Sequence, residues 1–203
     1  MRAVAVPGRR RPTAVSRERG AAIAAAGVAA GFLGAASLPL RPVGWGGVLA
    51  TVAVGFVAVA AAPTQTPDPG RLSRAGGWVR SSSPAMVLAV GLLAVTAARV
   101  AGAALPGPAS AVGVGASLVA AVAEEALFRG VLQGALQRLR VGPVLAIGLP
   151  AALFALVHLP GYGPGSLPVN LAAGLLLGWQ RHATGTWTVA AATHAAANLI
   201  RFL

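Results

Sequence analysis

The chain has 203 residues, 56% of them hydrophobic and only 10% charged, and its mean hydropathy is +0.75. Soluble domains carry about 25% charged residues, so this balance excludes an ordinary soluble fold and indicates a polytopic membrane protein. The formal charge is +12, every basic residue is arginine, and the absence of cysteine excludes disulfides, thiol nucleophiles and cysteine-bound metals. The arginines lie between apolar spans, where positive-inside topology accounts for them, so nucleic-acid binding is not expected. A lysine-free chain rich in Ala, Gly and Arg also suggests a GC-rich bacterial gene.

In chain order, residues 1–19 hold six arginines (Arg2, Arg9, Arg10, Arg11, Arg17, Arg19) and read as a cytoplasmic tail. The apolar run 20–40 is about 20 residues long, beyond the about 7–15 of a secretory h-region, and is expected to be an uncleaved first span. A second span covers 43–62. Residues 63–84, dense in Pro and Gly, form a polar loop, with Trp78 as an interfacial anchor. The third span is 84–105, with Arg99 snorkelling from near its end. The fourth, 109–137, is followed by a turn at 138–142. The fifth, 143–158, has a kink expected at Pro150. Residues 160–165 read as a loop, 167–179 as a short sixth span and 186–202 as the seventh. His182 is expected in a solvated loop.

These readings give an all-α fold: a transmembrane helix bundle of about seven spans, with its last four helices as a core. The domains expected are the tail 1–19, three N-terminal transmembrane helices over 20–105, and the helix core over 109–203. Seven spans put the N-terminus inside a cytoplasmic membrane. The inner loops then carry Arg71, Arg74, Arg80, Arg138, Arg140 and Arg181, against Arg41 and Arg201 outside. Small residues four apart, such as Gly130 with Gly134 and Gly174 with Gly178, are expected to let helices approach closely.

Only four residues are acidic, and two of them, Glu124 and Glu125, are neighbours within the fourth span. Carboxylates at membrane depth are costly and point to function. Glu125 and Arg129 share a helix face and can pair, whereas Glu124 is turned about 100° away and lacks a local partner. The pair could simply hold helices together. Two other polar pairs alter the balance: Phe154 with His158 ending the fifth span, and His194 with Asn198 on one face of the seventh. Buried polar groups in lipid need one another, so a shared hydrated cluster is expected. A carboxylate, two imidazoles and an amide can activate water and hold an oxyanion, or bind a zinc-like metal with an open water position. The expected spans leave His158 well off the middle of its helix, which demands a kink or a tilt.

Glu124-Glu125 with Arg129, Phe154 with His158, and His194 with Asn198 fall in order on separate spans. This pattern resembles the CPBP intramembrane proteases, which include type II CAAX prenyl endopeptidases and bacteriocin-processing or immunity proteins. Gly174 to Gly185, with Arg181 and Thr184, resembles the third core helix of that family. The resemblance covers about residues 109–203. It implies an intramembrane endopeptidase acting on a membrane-associated peptide or protein. By matching position, Glu124 would activate water, His158 would assist it, and His194 and Asn198 would stabilise the oxyanion. Glu125 and Arg129 would support the site. The resemblance implies either a metal-free glutamate peptidase or a zinc enzyme with Glu124, His158 and His194 as candidate ligands. The alternatives are an idle scaffold or immunity factor of the same fold, or a small transporter using Glu124 as a proton site.

Overall fold

The structure is a computed structural model that describes residues 83–102 and 111–202. The tail, the first two expected spans and most of the Pro/Gly-rich loop lie outside the described residues. The described part is entirely helical, with no strand. Helix α1 is Pro84–Gly102. Helix α2, residues 111–138, has three parts: α-helical Ala111–Glu125, π-helical Ala126–Leu132 and α-helical Gln133–Arg138. Helix α3 is Pro143–Tyr162. A 3-10 turn, Pro164–Ser166, leads into α4, Leu167–Thr184. Helix α5 is Thr188–Ile200.

The helix ends follow from local chemistry. Arg140 takes a left-handed conformation (φ 57°) in the turn after α2, and Pro143 opens α3, where its missing N–H costs no helical bond. Gly163 and Gly185, both at φ 75°, close α3 and α4, with their N–H groups returning to Leu159 O and Arg181 O. Only glycine takes this cap without a Cβ penalty.

Several boundaries depart from the sequence reading. Helix α3 continues through Pro150 and residue 160 to Tyr162, so half of the expected 160–165 loop is helical and His158 is not terminal. Helix α4 runs five residues past Trp179, because its polar end is taken up inside the bundle instead of facing water. Arg181 and His182 are therefore helical; Arg181 is buried and His182 half-buried, not loop residues in solvent.

The longest shared seam runs between α3 and α4, while α5 packs on α1, α2 and α4. The π-helical segment touches α3, α4 and α5 and forms the middle of the bundle. Leu127, Phe128, Leu132, Phe154, Val157, Trp187 and Ala191 make its apolar core. Alongside them the interior holds Glu125, Arg129, Gln133, Gln180, Arg181 and Thr193, all buried. Val144, Val100, Leu93 and Val169 stand on the outside. Charges inside and aliphatics outside suit a lipid setting, where interior polar groups satisfy one another. Among the described residues, Pro84–Gly102 is the one helix long and apolar enough to cross a bilayer by length and composition; Pro143–Leu159 is a shorter apolar stretch.

Candidate functional site

The site begins where α2 changes its winding. In the α-helical pattern Gln133 N–H would bond Arg129 O; instead it reaches back five residues to Phe128 O. The wider turn starts directly after the two glutamates. Such π segments are rare and recur at functional sites. All but one of its seven residues are buried, and Val131 alone is half-buried.

Glu125 and Arg129 pair as their spacing predicts, with Arg129 Nη1 donating to Glu125 Oε1 at 2.8 Å and both side chains fully buried. The pair has further partners that spacing did not reveal. Arg129 Nη2 donates to Gly174 O at 3.0 Å, and its guanidinium lies 4.7 Å from the centre of the Phe154 ring. Glu125 Oε1 also faces His194 Nδ1 at 3.0 Å. Glu125 thus joins the arginine to a histidine on α5, and its role is wider than a local counter-charge.

The two histidines are held in the same sense. His158 Nδ1 lies 2.7 Å from Phe154 O, a carbonyl that can only accept, so Nδ1 carries the proton. His194 Nδ1 faces a carboxylate, which fixes its proton in the same way. Each ring then turns its Nε2 towards the glutamates. Both point to one atom: Glu124 Oε2 is 3.9 Å from His158 Nε2 and 4.0 Å from His194 Nε2. That oxygen is buried and has no hydrogen-bond partner. The Phe154 ring sets the floor, with centroids 4.5 Å from His158 and 5.7 Å from His194. Tyr162 stacks on His158 from the exposed end of α3.

Glu124, Glu125, Arg129, His158 and His194 are therefore gathered in one place. Asn198, one turn beyond His194, donates from Nδ2 to Ser117 O at 3.0 Å, two turns before Glu124 on α2. Its amide clips α5 to α2. Residues outside the expected set also build the site. Gln133 Nε2 donates to Gly178 O at 2.8 Å, and Arg181 Nε donates to Arg129 O at 3.1 Å. Gln133 had a signal in the sequence, since Glu125, Arg129 and Gln133 recur every four residues in an apolar run. Arg181 stood out only through the resemblance of residues 174–185 to a core helix of the family; by charge alone, an arginine at the end of a short span looks like an inner-loop residue.

Whether this cluster suits a zinc ion turns on spacing. Two lone-pair nitrogens and a carboxylate oxygen are the right donors, each imidazole being backed by an acceptor on its other nitrogen. Ligands about 2.0–2.1 Å from a tetrahedral ion lie about 3.3 Å apart. The separations here, 3.9 and 4.0 Å, are wider. A water can bridge them with hydrogen bonds of about 2.8 Å. Among the described residues no group of three or more His, Cys, Asp or Glu is placed to hold a metal ion. The donors fit zinc chemically, and their spacing of 3.9 and 4.0 Å is wider than that of bound zinc ligands.

Residues 106–200 match the protein family described as type II CAAX prenyl endopeptidase Rce1-like. Over this stretch the chain is similar to Rce1-like domains. No curated protein and no solved structure matches the chain. The Rce1-like match takes in all of the residues gathered here and bears out the resemblance carried by the three motifs. The family is one of membrane-embedded proteases, which agrees with the inverted polarity of the bundle.

Proposed function

We propose that the chain is an intramembrane endopeptidase in which Glu124 activates a water molecule. The observation that carries this reading is the convergence of two imidazole Nε2 atoms on the buried, unpartnered Oε2 of Glu124. A water there would donate one hydrogen to Glu124 and the other to His158 Nε2, turning an oxygen lone pair towards the scissile carbonyl carbon. As the C–O bond forms, Glu124 takes the water proton. The tetrahedral oxyanion then needs donors. The second N–H of Asn198 is one candidate. His194 is the other, once Glu124 passes it the proton at Nε2, with Glu125 stabilising the imidazolium as the acid member of a catalytic triad does. Collapse of the intermediate breaks the C–N bond, and the proton is delivered to the leaving amine. Glu125 and Arg129 hold the frame.

The substrate class we propose is a peptide bond in a membrane-associated protein or peptide, reached from within the bilayer. The test uses the full chain, purified and reconstituted, with two fluorogenic probes: a prenylated C-terminal peptide and a single-span peptide. Cleavage by the wild type and its loss in Glu124→Gln is the expected result. Undiminished cleavage by Glu124→Gln would falsify the assignment. Cleavage that survives chelator, in protein free of metal by elemental analysis, would establish the metal-free route. Chelator inhibition reversed by added zinc would establish the other.

A further inference from the structure

We infer that Arg181, on α4, is a positioning residue for the glutamate pair: it holds the π-helical turn that aims Glu125 at His194. Three observations carry this. First, the winding of α2 gives Gln133 N–H to Phe128 O, so Arg129 O loses the partner that an α-helix would supply. Arg181 Nε takes that carbonyl at 3.1 Å. Second, the same guanidinium bonds through Nη1 to Gly185 O, in the left-handed cap that ends α4. One planar fork therefore spans the free carbonyl of the π turn and the fixed end of a neighbouring helix. Third, α4 grips this stretch of α2 at two further points, Gly174 O with Arg129 and Gly178 O with Gln133. Those two contacts hold side chains. Arg181 alone of the three reaches the α2 backbone, and so it bears on the winding itself.

The consequence reaches the site through Arg129. If Arg129 O takes Gln133 N–H back, the turn relaxes towards α-helical winding and the Arg129 side chain rotates relative to Glu125. Glu125 is shared between Arg129 and His194, so the Nδ1 contact that orients His194 moves with it. Lysine keeps the charge but not the fork, and cannot bond both carbonyls in the planar geometry of a guanidinium. A displacement of about 1 Å at a catalytic group can cost about 100-fold in rate.

The experiment compares Arg181→Lys with Gln180→Met. Gln180, the next residue on α4, bonds Val87 O and Thr193 Oγ1 away from the glutamates, and serves as a control for packing of the same helix. The chain has three histidines, so histidine-15N NMR of the reconstituted protein can resolve His194 and report its Nδ1 hydrogen bond directly. We expect Arg181→Lys to shift the His194 Nδ1 signal, and Gln180→Met to leave it in place while lowering thermal stability. Only the kinetic arm rests on the proposed protease reading: there Arg181→Lys lowers kcat 10- to 100-fold with KM unchanged. An unmoved His194 signal in Arg181→Lys overturns the inference. So does an equal shift in Gln180→Met, which would make the effect general packing. If Arg181→Lys does not fold, Arg181→Gln is measured in its place, and failure of both assigns the residue a structural role and ends the proposal. A shifted signal without peptide cleavage by the wild type would leave the positioning role standing and refute the peptidase reading alone.

Discussion

Neutralising the two adjacent glutamates should separate stability from activity. In Glu125→Gln, Arg129 keeps Gly174 O at 3.0 Å and the Phe154 face at 4.7 Å, but loses the only carboxylate it bonds, at 2.8 Å. Both partners are fully buried, so the guanidinium is left as an uncompensated charge. Breaking one side of a buried pair costs about 3–5 kcal/mol. At about 1.4 kcal/mol per decade, this raises the unfolded fraction by two to more than three orders of magnitude. Glu124 differs. Its Oε2 is buried without a hydrogen bond, so Glu124→Gln removes a carboxylate oxygen whose desolvation no direct hydrogen bond offsets. Its stability should stay within about 0.5 kcal/mol of wild type or rise slightly, while loss of the proposed general base should lower kcat by about 100- to 10,000-fold. Reversible unfolding in mixed micelles, followed by circular dichroism, measures the first quantity, and peptide cleavage the second. The reasoning fails if Glu124→Gln is destabilised as much as Glu125→Gln, or if Glu125→Gln unfolds at the wild-type midpoint.

Three more substitutions probe the frame. Gly174→Ala would place a Cβ 2.9 Å from Ala151 Cα and 3.0 Å from its carbonyl oxygen, and backbone atoms cannot turn aside. Forcing α3 and α4 apart should cost about 1–3 kcal/mol, read as a lower thermal midpoint, and should lower activity as well, because Gly174 O holds Arg129. Gly91→Ala on α1 meets Gln180 Nε2 and, at 2.7 Å, Thr193 Oγ1. It should also cost about 1–3 kcal/mol in the same melting assay, with kcat unchanged, since neither neighbour touches the glutamates. Asn198→Ala removes the bond to Ser117 O. It should cost about 0.5–1.5 kcal/mol of stability, and a kcat loss larger than that destabilisation can explain would mark the second amide N–H as an oxyanion donor.

The parts of the site that were legible in the sequence share one property. Glu124, Glu125, Arg129, His158, His194 and Asn198 are strongly polar side chains in runs of Ala, Val, Leu and Gly, where their cost made them conspicuous. Helical spacing then paired Glu125 with Arg129 correctly, because a four-residue interval is a local matter. The bond from Glu125 to His194 was not legible, since it joins residues 69 positions apart. The π turn was hidden for a different reason: a shift from four- to five-residue bonding over seven residues leaves no period that a sequence can display. The end of α3 is masked by the Pro and Gly residues of 160–165, which resemble a loop although the helix runs through them to Tyr162, and the end of α4 by falling hydropathy. Arg181 and Gln180 lower the hydropathy of α4 but are fully enclosed, so the helix continues where its apolar character stops.

The glycines of α4 show how close approach and polar pairing become one device. Gly174 and Gly178 were expected to let helices meet, and the positions where their Cβ atoms would stand fall within 3.0 Å of Ala151 and Ile147 on α3. On the α2 side, their carbonyls accept from Arg129 and Gln133. Each helical carbonyl already receives one bond from its own ladder and has a second lone pair to offer. Donors four residues apart on α2 thus meet acceptors four residues apart on α4. The pairing holds in one register only, because a slip of a single residue would turn both donors about 100° away from their acceptors. Both of these donors therefore favour the same alignment of α2 with α4. Since Arg129 also carries Glu125, and Glu125 carries His194, the register that satisfies the frame is the one that brings the imidazoles to Glu124.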